Sequence, residues 1–175
     1  MIDIEGWMEK TGERISVDAK TILLNEGDVA KKMYVVKKGI LRLFLYDSQG
    51  RDITFQFFFE GDTVASFNSM YYKEPSQFNL ESIEQSELIA VDVDDLLRLK
   101  NSSAETREVF DRHIVERFRK YQLLFLSRIK NTPQELYEDL CNQCPDLIQR
   151  VPQHYIASYL GITSVSLSRI RRRRN

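Results

Sequence analysis

The side chains best suited to chemistry lie toward the end of this sequence. Between Arg150 and Asn175 stand six arginines and no acidic residue. Guanidinium groups on an acid-free stretch can hold a polyanion, by charge and by bidentate hydrogen bonds. Charge is segregated along the chain in the same sense. Residues 1–103 carry 12 Lys+Arg against 18 Asp+Glu, a net of −6, and residues 104–175 carry 13 against 8, a net of +5. On charge alone, a solubilising basic tail fits as well as a polyanion-binding end.

The last arginines are arranged around a pattern with a mechanical reading. Two helical stretches, Pro152–Leu160 and Ser164–Arg173, flank Gly161-Ile162-Thr163. Ala157 is small enough for the second helix to cross closely over the first. Gly161 stands where the first helix must stop, a position that favours positive φ. Thr163 can cap the second helix. Ile156, Leu160, Ile162, Leu167 and Ile170 are spaced to share one core. The remaining face of the second helix offers Ser164, Ser166 and Arg169, which suits a helix lying in the major groove of double-stranded DNA. Arg171, Arg172, Arg173 and Arg174 would add phosphate contacts. A plain helical hairpin with a basic tail explains less of this set, so a DNA-binding helix-turn-helix is the expectation.

Other reactive groups are sparse. Cys141 and Cys144 form one C-x-x-C, and the histidines are His113 and His154. A tetrahedral zinc site needs four ligands, and two scattered histidines do not complete one. A redox pair belongs at the mouth of a strand–helix unit, whereas this pair ends a helical pattern just before Pro145. The thiols read as ordinary reduced cysteines. No Gly-rich phosphate loop, metal-ligand cluster or Ser/His/Asp set is visible, so the expectation is no catalytic residue, no metal and no enzyme. A protein-interaction or ligand-binding module remains the rival reading, and the basic face from Arg150 onward counts against it. A hydrophobic share of 42% and a charged share of 29% are those of an ordinary globular protein. Met1–Glu13 lacks the apolar core of a signal peptide, and no apolar run approaches a membrane span. A cytoplasmic protein without a membrane partner is expected.

The elements that must position these groups follow from periodicity. Residues 1–18 read as a short helix with Ile4, Trp7 and Met8 on one side. Short apolar runs then alternate with Gly/Asp turns: Thr21–Leu24, Met33–Val36, Ile40–Tyr46, Ile53–Phe59, Thr63–Phe67, Phe78–Ile83 and Leu88–Val93. Such spacing predicts an antiparallel sandwich or barrel, with a hairpin turn at Asp47–Gly50. Phe55, Phe57 and Phe59 alternate along one strand and mark a core face. The period then becomes helical, over Asp94–Lys100 and Ser103–Lys130. Phe110, Ile114, Phe118, Tyr121 and Phe125 fall on one stripe of the long helix. That stripe could pack on the β domain or on a second copy of the chain. A helix of roughly 27 residues runs about 40 Å, longer than a small β domain covers, which favours a homodimer seam. Thr132-Pro133-Gln134-Glu135 is a capping-box start for a further helix.

This order resembles the Crp/Fnr, or cyclic-AMP-receptor-type, family of bacterial transcription regulators over nearly the whole chain. The resemblance rests on Leu24-Asn25-Glu26-Gly27-Asp28, on Tyr34-Val35-Val36-Lys37-Lys38-Gly39, on Glu60-Gly61-Asp62, and on Ala157–Thr163 followed by Leu167-Ser168-Arg169-Ile170-Arg171. It implies an α+β fold: a double-stranded β-helix (β-roll or jelly roll) sensor over residues 1–103, a long dimerisation helix over 104–130, and a helix-turn-helix domain over 131–175; as a departure from the family, no C-terminal wing is expected after the second helix. It also implies a homodimer on a pseudo-palindromic operator and RNA polymerase as a further partner.

The family's nucleotide cassette places a Glu on the ribose hydroxyl and an Arg on the cyclic phosphate, after a Gly-Asp turn. Aligned on Gly61-Asp62, these positions fall on Ser66 and Ser76, with Gln77 beside the latter. Lys73 is the only cation between Gly61 and Leu88. A phosphate buried without a cation keeps most of its desolvation cost. The resemblance therefore implies the fold without cyclic AMP as cofactor. The expected effector pocket, for an unidentified and less charged ligand, is Gly61, Ser66, Phe67, Ser76, Gln77, Phe78 and Asn79. An iron–sulfur sensor needs several cysteines near the N-terminus, and there are none. In the second helix the family's first two base-reading positions fall on Ser164 and Val165, while its later Arg is retained as Arg169. The expected DNA-binding set is Thr163, Ser164, Ser166, Arg169, Arg171, Arg172 and Arg173.

Overall fold

The computed structural model describes residues 4–174. In chain order the elements are α1 (Ile4–Thr11), β1 (Glu13–Val17), β2 (Ile22–Leu24), β3 (Lys32–Lys38), β4 (Leu41–Tyr46), β5 (Asp52–Phe58), β6 (Thr63–Val64), α2 (Phe67–Tyr72), β7 (Asn79–Ser82) and β8 (Ser86–Asp92), and then the helices α3 (Val93–Lys100), α4 (Ala104–Lys130), α5 (Pro133–Gln143), α6 (Pro145–Arg150), α7 (Gln153–Tyr159) and α8 (Ser164–Arg174). The strands form two four-stranded sheets, ordered β1-β8-β3-β6 and β2-β7-β4-β5.

The pairing of β3 with β8 carries the core. Met33 faces Val91, Tyr34 faces Ala90, Val35 faces Ile89 and Val36 faces Leu88, and all eight are buried. Alternation along a strand sends these residues to two faces. Met33, Val35, Ile89 and Val91 join Met8 of α1, Met70 of α2, and Val93 and Leu96 at α3 in one cluster, with Trp7, Phe67 and Phe110 packed against it. Tyr34, Val36, Leu88 and Ala90 occupy the other face, where the Tyr34 hydroxyl lies 3.5 Å from the Leu23 carbonyl of β2. Truncating an aliphatic side chain at such a position to Ala costs about 2–5 kcal/mol. The turn from β3 to β4 depends on Gly39, whose φ of +103° and proximity to the Ser86 side chain leave no room for a Cβ.

Three expectations need correction. The helix expected over residues 1–18 ends at Thr11, because Glu13–Val17 alternates with period two and pairs antiparallel with β8. The strand expected over Thr63–Phe67 is only two residues long. Phe67 instead opens α2, whose first turn closes with the Met70 amide on the Ser66 carbonyl at 2.8 Å. Phe55, Phe57 and Phe59 do not monopolise the core face of β5. Phe58 and Thr54 on the other face are the more deeply buried, so the strand is covered on both sides.

The capping box at Thr132 is formed as expected: the Thr132 hydroxyl accepts from the Glu135 amide at 3.3 Å, and the Glu135 carboxylate accepts from the Thr132 amide at 2.7 Å. These bonds hold the Glu135 carboxyl below the usual carboxylate range, the backbone one foremost. Compactness divides the chain into two units. One comprises Met1–Leu45 with Gln56–Ile114, the other Tyr46–Phe55 with Val115–Asn175. The division between compact units falls within α4, between Ile114 and Val115. The second unit also takes the tip of the β4–β5 hairpin.

Candidate functional site

The α7–α8 pair is built from local signals. The Gly161 amide donates to the Ser158 carbonyl at 3.0 Å, and the Ile162 amide donates back to the Ala157 carbonyl at 3.0 Å. With Gly161 at φ +69°, this is a Schellman stop, which satisfies two carbonyls that a helix end would leave open. Thr163 caps α8: its hydroxyl accepts from the Ser166 amide at 3.2 Å and lies 3.1 Å from the Ser166 hydroxyl. Ile156, Ala157, Leu160 and Leu167 are buried, and Ile162 and Ile170 are half-buried. Tyr137 of α5, Leu147 of α6, Val151 and Tyr155 are buried as well. The sequence reading did not single out those four as buried.

What α8 leaves outside is polar and basic. Ser164, Arg169, Arg172 and Arg173 are exposed, and Ser166 and Arg171 are half-buried. Val165 is 63% exposed in the first turn of α8. The side chain of Arg174 lies outside the described residues. No acidic side chain stands on either α7 or α8. A capped helix start with short hydroxyls, followed by exposed guanidinium groups, can hydrogen-bond base edges and phosphates.

The stripe expected on α4 splits. Phe110 and Ile114 are half-buried and line an apolar cavity of about 40 Å³ with Met8, Met33 and Met70. Phe118 and Phe125 are 68% and 63% exposed, and Tyr121 is also exposed. Val115 and Ile129, which the sequence reading passed over, are 63% and 65% exposed. Val115, Phe118, Gln122, Phe125 and Ile129 follow steps of three and four, the spacing of a two-helix seam. The signal was present in the sequence, but Gln122 interrupts it and the aromatic ladder from Phe110 masked it.

The β-roll contains an open cleft of about 580 Å³, walled by Leu23, Leu24, Tyr34, Ala65, Ser66 and Leu80 among others. Of the expected pocket residues, Ser66 lines it. Phe67 borders the apolar cavity instead, because α2 turns it toward the helices. Gly61 and Gln77 are exposed, Phe78 is half-buried, and Asn79 is buried with its side-chain Oδ1 accepting from the Glu26 amide at 2.9 Å. Ser76 and Ser66 are both buried, with hydroxyls 3.0 Å apart, and Ser76 donates to the Phe78 carbonyl at 2.8 Å. The two positions aligned with the charged pair of the cassette thus hold a neutral hydroxyl pair.

The roll does contain a buried cation, but it is engaged elsewhere. Arg42 donates to Glu81 at 2.6 Å and lies 3.9 Å over the Phe44 ring. Arg42 and Glu81 are register partners on β4 and β7. Leu80, the next residue on β7, lines the cleft, so the ion pair points to the opposite face of the sheet. Separating the pair would leave a buried charge unpaired, at about 3–5 kcal/mol. Lys32, at the cleft's border, is 3.0 Å from Asp92, and Lys73 is 2.7 Å from Asp94. Burial pushes the Tyr34 phenol up, so it faces the cleft as a neutral group. The lining combines these neutral and apolar groups with Asp28, Lys31 and Lys32, of which Asp28 and Lys31 are exposed and Lys32 is half-buried.

Among the described residues no cluster of three or more His, Cys, Asp or Glu could hold a metal, and Cys141 and Cys144 are half-buried thiols outside any disulfide. Among those residues, too, no helix is long and apolar enough to cross a membrane.

Residues 14–103 match the cyclic nucleotide-binding domain family. No curated protein sequence matches the chain. Several solved structures share its fold. FixK2 from Bradyrhizobium japonicum is 17% identical, with a TM-score of 0.77 over 93% of this chain and 84% of that one. CLP of Xanthomonas campestris, a c-di-GMP-responsive global regulator, is 16% identical, with a TM-score of 0.72 over 97% and 89%. A putative regulator of the Crp/Fnr family from Eubacterium rectale is 18% identical, with a TM-score of 0.73 over 98% and 82%.

The neutral Ser66–Ser76 pair predicts weak or no binding of cyclic AMP. Isothermal titration calorimetry of the whole chain checks this, and a dissociation constant in the low micromolar range would overturn it.

Proposed function

The chain belongs to the cyclic nucleotide-binding domain family, and on that premise we propose that it is a DNA-binding transcription regulator of the Crp/Fnr type. In this reading a homodimer binds operator DNA through α8, and the β-roll senses a small effector other than cyclic AMP. The observation that carries it is the α7–α8 pair, with a Schellman stop at Gly161, a Thr163 cap and an acid-free exposed face ending in arginines. A module without a nucleic-acid partner has no use for that face. The fold of the Crp/Fnr regulators supports the same reading. The cytoplasm as compartment and RNA polymerase as a further partner follow from it.

Within α8, Arg169 is assigned to base reading, bidentate to guanine, together with Ser164 and Ser166. Exposed Val165 suits apolar contact with a thymine methyl. Arg171, Arg172 and Arg173 are assigned to phosphates. The dimer seam is proposed along the exposed stripe of α4, where Phe118, Tyr121 and Phe125 are joined by Val115 and Ile129. Each such side chain gains about 1.5–3 kcal/mol on full burial, which a second copy would supply. Phe110 and Ile114 are better used inside their own unit.

Two experiments test these assignments. Phe118→Glu with Phe125→Glu should give a folded monomer by sedimentation and circular dichroism, because two charges would be buried at the seam. A dimer that persists in this variant places the seam elsewhere. In DNA binding followed by fluorescence anisotropy, Arg169→Ala should narrow the gap between a selected and a random duplex, by about 1–3 kcal/mol for a bidentate contact. Arg172→Ala should weaken both duplexes alike and flatten the slope of log affinity against log salt by about 0.9 per protomer. If Arg169→Ala spares the gap and Arg172→Ala collapses it, the groove-facing side of α8 is misassigned.

A further inference from the structure

Ser158 of α7 makes an unusual set of bonds. Its hydroxyl donates to the Asp52 carbonyl at 2.8 Å and accepts from the Thr54 amide at 2.9 Å. Both partners belong to β5, the edge strand of its sheet. A carbonyl and the amide two residues later lie on the same side of a strand. One hydroxyl thus bonds both a donor and an acceptor of the β5 backbone, as a neighbouring strand would. Thr54 is fully buried at this contact. Arg128 of α4 reinforces it, donating to the Phe55 carbonyl at 3.0 Å while its guanidinium lies 4.5 Å over the Tyr159 ring, the residue after Ser158.

The backbone of the same residue controls the turn. The Ser158 carbonyl accepts from the Gly161 amide at 3.0 Å in the Schellman stop that sets the direction of α8. Side chain and main chain of Ser158 therefore fix the hairpin tip and the α7–α8 turn to one another. This agrees with the grouping of Tyr46–Phe55 in one compact unit with both helices.

We propose that Ser158 is a positioning residue for DNA reading, and that the β4–β5 hairpin tip is the strut against which it sets α8. The inference rests on α8 being the DNA-reading helix. The contact leaves Ser164, Arg169 and Arg172 exposed, so it orients the reading face without covering it. Loss of the hydroxyl removes both bonds between α7 and the β5 backbone and loosens the angle of α8. Binding that requires several base contacts at once suffers, whereas phosphate contacts made in any register do not.

The test uses the full chain, a duplex selected from a random library, and an unselected duplex of the same length, at fixed salt and well below the unfolding temperature. Ser158→Ala should weaken binding to the selected duplex roughly tenfold, in keeping with two lost hydrogen bonds, and leave the unselected duplex unchanged. Ser158→Thr keeps the hydroxyl and should restore the preference. Thr54→Pro deletes the amide that donates to Ser158 and should repeat the loss without altering the sequence of α7. This variant carries the test if Ser158→Ala does not fold. An unchanged preference in Ser158→Ala or Thr54→Pro overturns the proposal, as does a loss of preference that Ser158→Thr does not rescue. A wild-type chain that prefers no duplex refutes the DNA-reading role itself, and the positioning role with it, before any variant is compared.

Discussion

The ladder between β3 and β8 is the constraint on which the first unit depends. Residues 33–36 and 88–91 are buried on both faces of one sheet, so each face must find its own cover. One face is covered by α1, α2 and α3 with the start of α4, and the other closes on β2 and its neighbours across the cleft. A slip of one residue would exchange Met33 and Val35 for Tyr34 and Val36 on each face. The helices would lose their apolar seat, and the Tyr34 phenol would leave the cleft. The position of α2, and with it Ser66, follows from this register.

Within that frame the chemistry of the cleft can change without the fold changing. A cyclic phosphate needs a cation that is desolvated with it and paired by it. Here the two aligned positions carry Ser66 and Ser76, bonded to each other, and the buried Arg42 is neutralised by Glu81 on the far face of its sheet. Neutral hydroxyls can be buried at little cost once they are hydrogen-bonded, whereas an unpaired charge cannot. The lining that remains is mixed, with Tyr34, Ser66, Leu23, Leu24 and Leu80 beside Asp28, Lys31 and Lys32.

Legibility in the sequence followed the range of the interactions involved. The stop at Gly161, the Thr163 cap and the Thr132–Glu135 box are made by residues within five positions of one another, and the sequence alone placed all three. The long helix and most strands were legible from period. What failed depended on distant partners. Glu13–Val17 is a strand because residues 86–90 pair with it. Phe67 lies on a helix because the cluster around Met8 and Met70 receives it. Val115 and Ile129 reveal themselves only when Phe110 and Ile114 are seen to be occupied by their own core. The bond from Ser158 to β5 spans more than a hundred residues, and no local pattern announces it.

The account's central claim is that this chain reads DNA through the exposed face of α8. Photo-cross-linking to a selected duplex carrying bromouracil in place of thymine, followed by peptide mass mapping, tests this most directly. The bromine replaces the methyl group that projects into the major groove. The account predicts cross-links on the peptide spanning Thr163–Arg169, Val165 foremost, and their disappearance when unlabelled selected duplex is added in excess. Cross-links confined to the β-roll, or competed equally by any duplex, would contradict it.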